Sequence, residues 1–182
     1  MTDLPSYVLE RTFTAPRALV WRTWTDPQLL SRWYGPNVET IIHRLDVKPG
    51  GLWLNEMKMG GKSSYQRTQY TEVVMPERLV CLMANADAQW NIAPNPMMPD
   101  WPRVLLTTVT FKEERGQTRM RLTWTPHEAS EAEIACFAAA MDNMGKGWGA
   151  GIGIPRLTKP WYGTKLLRIS ARRLRQKAQE MV

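Results

Sequence analysis

The chain holds only two cysteines and two histidines in 182 residues, and each scarcity argues against a class of chemistry. Cys81 sits in a strand-like run and Cys136 in a helix-like one, and neither belongs to a CxxC pair or to a Cys/His spacing that suits a metal. They read as small buried apolar side chains in a reducing cytoplasm, and no metal or cofactor is expected. His43 and His127 are the only side chains whose ordinary pKa lies near neutrality, and no Ser/His/Asp pattern surrounds either. Long apolar runs are missing as well. With no stretch of about 18 apolar residues and no basic start followed by an apolar segment, nothing points to a membrane span or to secretion, and a soluble protein is expected.

Charge of one sign is lacking from most of the chain. Residues 1–150 carry 16 basic and 16 acidic side chains, whereas 151–182 carry eight basic ones against Glu180 alone, so the net charge of +7 resides in the last segment. A neutral body gives no hint of a specific nucleic-acid partner or an anionic surface. The expected organisation is therefore one domain over 1–150 and a basic extension over 151–182. Gly149, Gly151, Gly153 and Pro155 predict that a helix stops near 150–154, because proline inside a helix costs roughly 3 kcal/mol. Beyond it, 164–181 predicts a basic amphipathic helix with Leu167, Leu174 and Met181 on one side. Binding to an anionic surface, a partner groove or nucleic acid, a homodimerisation arm and an altered reading frame all remain open as its explanation.

What the body does have is aromatic mass: nine Trp, and eleven Met beside them, in a chain that is 43% hydrophobic, which is enough for a sizeable core. Trp21, Trp24 and Trp33 fall within thirteen residues, and Pro16 ahead of them and Pro27 among them are each placed to open a short helix at its first position. Before this block, Tyr7–Phe13 alternates as a strand does. After it, runs at 38–47, 52–59, 65–74, 79–83, 105–111 and 118–124 read as strands joined by tight Pro-Gly-Gly and Gly-Gly turns and by one long loop over 85–102. Such a meander of six or so antiparallel strands curls around something.

The helix opening at Ser130 is that something. Ser130 and Glu133 form a capping box, and Ile134, Phe137, Met141, Met144 and Trp148 recur at helical spacing. The fold class is therefore α+β, a curved antiparallel sheet around a long C-terminal helix with two short helices after the first strand. Strand parity directs Val109 and Phe111, and Leu122 and Trp124, toward the helix. Trp33, Trp53 and Tyr65 are expected at the mouth of a cavity between sheet and helix, Phe137, Met141, Met144 and Trp148 on its helical wall, and His43 as a candidate polar group within it. No catalytic residue is assigned: Asp46, Glu56 and Glu72 are not brought together by any spacing the sequence shows.

Nine motifs in order carry a resemblance. Phe13-Thr-Ala-Pro, Val20-Trp21, Trp24-Thr-Asp-Pro, Trp33-Tyr-Gly-Pro, Asp46-Val-Lys-Pro-Gly-Gly-x-Trp53, Tyr70-x-Glu72, Pro76-Glu-Arg-Leu79, Thr108-Val-Thr-Phe111 and Met144-x-x-Gly147-Trp148 make residues 6–150 resemble the activator of heat-shock-protein-90 ATPase homologue-like family. That family belongs to the START or birch-pollen-allergen-like superfamily. The resemblance implies the helix-grip fold and the non-catalytic binding of a small hydrophobic ligand, a lipid, sterol or polyketide-like molecule, with a role in stress. A protein-interaction module, such as a co-regulator of a chaperone ATPase, is the alternative it implies, and a cyclase or lyase in the same cavity a weaker one. Eukaryotic relatives that stimulate the chaperone use a further N-terminal domain not found here, which weakens that alternative.

Overall fold

The computed structural model describes residues 4–35 and 38–152, with side chains up to residue 144. The elements run β1 (Tyr7–Phe13), α1 (Arg17–Thr25), α2 (Pro27–Trp33), β2 (Glu39–Leu45), β3 (Leu52–Met59), β4 (Lys62–Val74), β5 (Arg78–Ala86), β6 (Val104–Glu114), β7 (Gln117–Pro126) and α3 (Glu131–Ile152). The strands form one antiparallel sheet of seven in the order β1-β7-β6-β5-β4-β3-β2, so α1 and α2 carry the chain from one edge to the other. The helix expected over 164–181 and the basic extension lie outside the described residues.

Local chemistry accounts for these boundaries. Between β3 and β4, Gly60 and Gly61 both adopt positive φ (57° and 76°), the backbone a two-residue hairpin needs, and Met59 pairs directly with Lys62. Asp26 caps α2 by accepting from the amides of Gln28 and Leu29, with Pro27 at the first helical position as the sequence predicts. Pro16 stands one residue earlier than expected. It is the N-cap of α1, and its carbonyl accepts from Leu19 and Val20. The capping box at α3 is formed: the Glu133 carboxylate accepts from the Ser130 amide at 2.8 Å, and the Glu133 amide donates to the Ser130 hydroxyl at 3.3 Å.

The core lies on the concave face. Leu105, Thr107, Val109 and Phe111 of β6 and Met120, Leu122 and Trp124 of β7 are buried there, as period-two alternation requires. Helix α1 covers one end of this face, where Trp21 and Trp24 meet the ring of Phe111 edge-on at 5.6 and 6.0 Å. Trp33 packs on Trp24 at 4.8 Å and donates its indole N–H to the Thr23 carbonyl. Helix α3 rests against β1 and β7, with Phe137 wholly buried against Trp101. Placed over that side of the sheet, α3 leaves the ends of β4 and β5 to be covered by the loop after β5.

Candidate ligand-binding site

A cavity of about 300 Å3 opens where three elements converge. The sheet contributes Gln66 of β4, Met83, Ala84 and Asn85 of β5, Leu105 of β6 and Trp124 of β7. The loop after β5 contributes Asn95, Met98, Trp101 and Pro102, and α3 contributes Ala140, Asn143 and Met144. Two bonds from Glu133 hold the loop and helix in register: its Oε1 accepts from the amide of Arg103 at 3.0 Å while its Oε2 completes the helix cap. Opposite them, the Tyr34 hydroxyl donates to Gln66 Oε1 at 2.5 Å and fixes that amide at the wall. Among the described residues the lining is apolar side chains, thioethers and neutral amides, without a charged side chain.

Of the residues expected in the cavity, Trp124 and Met144 line it. Trp53, Val109 and Leu122 lie deeper on the concave face, around a separate void of about 20 Å3 that Trp124 also lines. Phe111 is packed under Trp21 and Trp24, Phe137 against Trp101, and Trp33 against Trp24 and Tyr34, and none of these three lines either space. Met141 is half-buried on the core side of α3, and the side chain of Trp148 lies outside those described.

Tyr65 and His43 are placed elsewhere, on the convex face. Tyr65 pairs with Glu56 whereas the inward residues Asn55 and Trp53 pair with Gln66 and Thr68, so parity turns Tyr65 away from the helix. His43 sits on a bulge between Ile42 and Arg44 that lets both Ile42 and Leu45 pack toward the core. Trp90, held at φ +66° by the Asp87–Asn91 turn, joins them with ring centroids 5.2 Å from His43 and 5.4 Å from Tyr65. Beneath this aromatic group Glu56 accepts from Ser63 Oγ at 2.5 Å and lies 3.0 Å from His43 Nε2, and these bonds hold its carboxyl below the usual carboxylate range. The carboxylate stands between serine and histidine, the reverse of the order in which a histidine would activate a serine.

The alternation that turns Val109 and Phe111 inward turns Leu105 inward too, and Trp101 was visible as part of an aromatic loop, whereas Gln66 is singled out only by the pairing of β4 with β3. Asn95, Met98 and Asn143 carry no sequence signal, because their place depends on how an irregular loop crosses a helix. Among the described residues no group of three or more His, Cys, Asp or Glu side chains could hold a metal ion, and no helix is long and apolar enough to cross a membrane.

The comparisons with known proteins agree on the architecture. The solution structure of a protein from Arthrobacter aurescens is 25% identical, with a TM-score of 0.69 over 84% of this chain and 86% of that one. The crystal structure of a protein from Mycobacterium smegmatis is also 25% identical, with a TM-score of 0.65 over 84% and 92%. One from Nitrosomonas europaea, at 23% identity and a TM-score of 0.62 over 84% and 94%, shares the fold. No curated protein matches the sequence. The family model described as "Activator of Hsp90 ATPase homolog 1-like protein" matches residues 14–151, and the chain belongs to that family.

Proposed function

We propose that this protein binds a small, uncharged, largely apolar molecule in the cavity between β4–β7, the loop after β5 and α3, and does so without transforming it. The observation that carries this reading is the lining: about 300 Å3 of space bounded by Trp101, Trp124, Leu105 and three methionines, with amides as its polar groups. Acid–base chemistry needs a titratable side chain within reach of the bound molecule, and the described lining offers no His, Asp, Glu, Lys or Cys. The family's description favours a second reading, co-regulation of a chaperone ATPase through the surface. Exposed Met97, Ile92 and Met75 would serve such contacts.

Native mass spectrometry of the purified protein tests the reading, with tryptophan fluorescence titrations of fatty acids, sterols and aromatic polyketides. The expected result is a retained or saturably bound neutral ligand, and a loss of at least about tenfold in affinity in Ala140→Trp, whose indole would fill the space. A protein that is ligand-free and silent across the panel sinks the reading and leaves the surface as the functional region.

A further inference from the structure

The smaller void on the concave face has a lining at odds with its surroundings. It lies among Trp24, Trp53, Thr68, Thr107, Val109 and Leu122, and others. Trp53, Thr68 and Thr107 are 5, 1 and 4% exposed, yet the indole N–H of Trp53 and both threonine hydroxyls have no hydrogen-bond partner. Two residues along the same face of β3, Asn55 is 0% exposed with neither amide atom bonded. Folded proteins keep few such groups, because each forfeits its bonds to water without replacement. Trp53 and Thr68 are direct partners across β3 and β4, and Thr107 pairs with Cys81 on the far side. A space of this size takes one small group, such as a hydroxyl or carbonyl oxygen.

Met83 and Trp124 line this void and the larger cavity as well, so these two side chains stand between them. Met83 is half-buried, unbranched and touched at its sulfur by the Tyr34 hydroxyl at 3.9 Å, a weak contact. An unbranched thioether of this kind changes rotamer at little cost.

We propose that Trp53, Thr68 and Thr107 form the polar end of the ligand site. They receive a neutral hydroxyl or carbonyl oxygen of a molecule whose apolar body fills the larger cavity, with Met83 turning aside to admit it. This rests on the reading of that cavity as the ligand site. The Trp53 indole only donates, so the entering group must carry an acceptor oxygen, while the threonines serve either sense. A carboxylate is the wrong head. Among the described residues neither lining holds a cation to partner it, and burial in the same wall pushes the Cys81 thiol up to about 12, the direction in which ionised groups are disfavoured.

Fluorescence titration of 1-octanol, octanoate and 1-chlorooctane into the full chain tests this, because the chloride keeps the size of the alcohol and bonds poorly. Octanol is expected to bind about tenfold more tightly than octanoate. In Thr68→Val/Thr107→Val the ratio of octanol to chlorooctane affinity should fall about tenfold, the loss of roughly two hydrogen bonds, whereas Thr68→Ser should keep it. Because the hydroxyls lack partners, the urea midpoint of the double variant should equal or exceed that of the parent. A lower midpoint would show them already bonded and overturn the proposal. An unchanged ratio overturns it too but leaves the cavity reading intact, and failure of all three probes to bind the parent overturns both.

Discussion

Phe137 and Cys81 show how much a single buried side chain is held to in this fold. Phe137 is completely enclosed and supports Trp101, a wall of the cavity, from behind at 5.4 Å. Phe137→Ala should lower stability by about 3–5 kcal/mol in urea unfolding and also loosen any ligand, since the hole it leaves lets Trp101 relax. Cys81 faces the concave side among Thr68, Tyr70 and Leu79, and its raised pKa follows from desolvation alone. The thiolate is the nucleophile, so iodoacetamide at about pH 8 should modify half-buried Cys136 first, with peptide mass spectrometry showing Cys81 protected until the protein unfolds. Early labelling of Cys81 would mean that the concave face opens more readily than its packing implies.

At the scale of the element, short-range rules account for most of the boundaries and one close approach accounts for a turn. Between β2 and β3 the chain reverses through Lys48–Gly51, and a Cβ on Gly51 would lie 2.0 Å from the Asp46 carbonyl oxygen, a backbone atom that cannot swing aside. Gly51→Ala should therefore cost about 1–3 kcal/mol, read as a lowered denaturation midpoint, because the turn must open to accommodate the methyl. An unchanged midpoint would show that the turn is looser than drawn. The same turn was legible as Pro-Gly-Gly, and the hairpin after β3 as Gly-Gly, because glycine's freedom is written in the residue type. The bulge at His43 was not legible. An extra residue in a strand is specified by what its neighbours pack against, here Ile42 and Leu45 on the core, and periodicity alone does not register it.

Across the whole molecule, pH should act on both flanks of stability. Glu10, Glu56, Asp87, Glu114 and Glu133 all have lowered pKa values, led by hydrogen bonds from Arg119, Ser63, Asn91, Lys112 and Ser130 respectively. The unfolded chain then binds protons first as the solution is acidified. Their contribution is complete above the ordinary values of 4.5 and 3.8 and is lost as the pH falls through the folded ones. On the alkaline side Cys81, Tyr34 and Tyr70 are raised by desolvation, so their contribution is complete below 9.0 and declines above it as the unfolded groups ionise. Urea midpoints from about pH 3 to 11 should trace a plateau between roughly 5 and 9 with a fall on either side. A midpoint rising below pH 4 would contradict the carboxylate network.

The α+β class, the two short helices, the capped long helix and the inward faces of β6 and β7 were all readable from residue order. Each follows from interactions within a few residues or from strict alternation. The cavity is another matter. Trp124 and Met144 were foreseen, but Asn95, Met98 and Asn143 come together because a loop without periodicity is pinned to α3 through Glu133 and Arg103, thirty residues apart. Tyr65 and Gln66 are both reasonable cavity residues on composition, and only the pairing of β4 with β3 says which of the two looks inward. Likewise the unpartnered Thr68 and Thr107 are ordinary strand residues in the sequence; it is the curvature of a seven-stranded sheet that buries them and leaves their hydroxyls facing one small space. Local chemistry specifies which elements form, and the long-range register between them specifies which side chains meet.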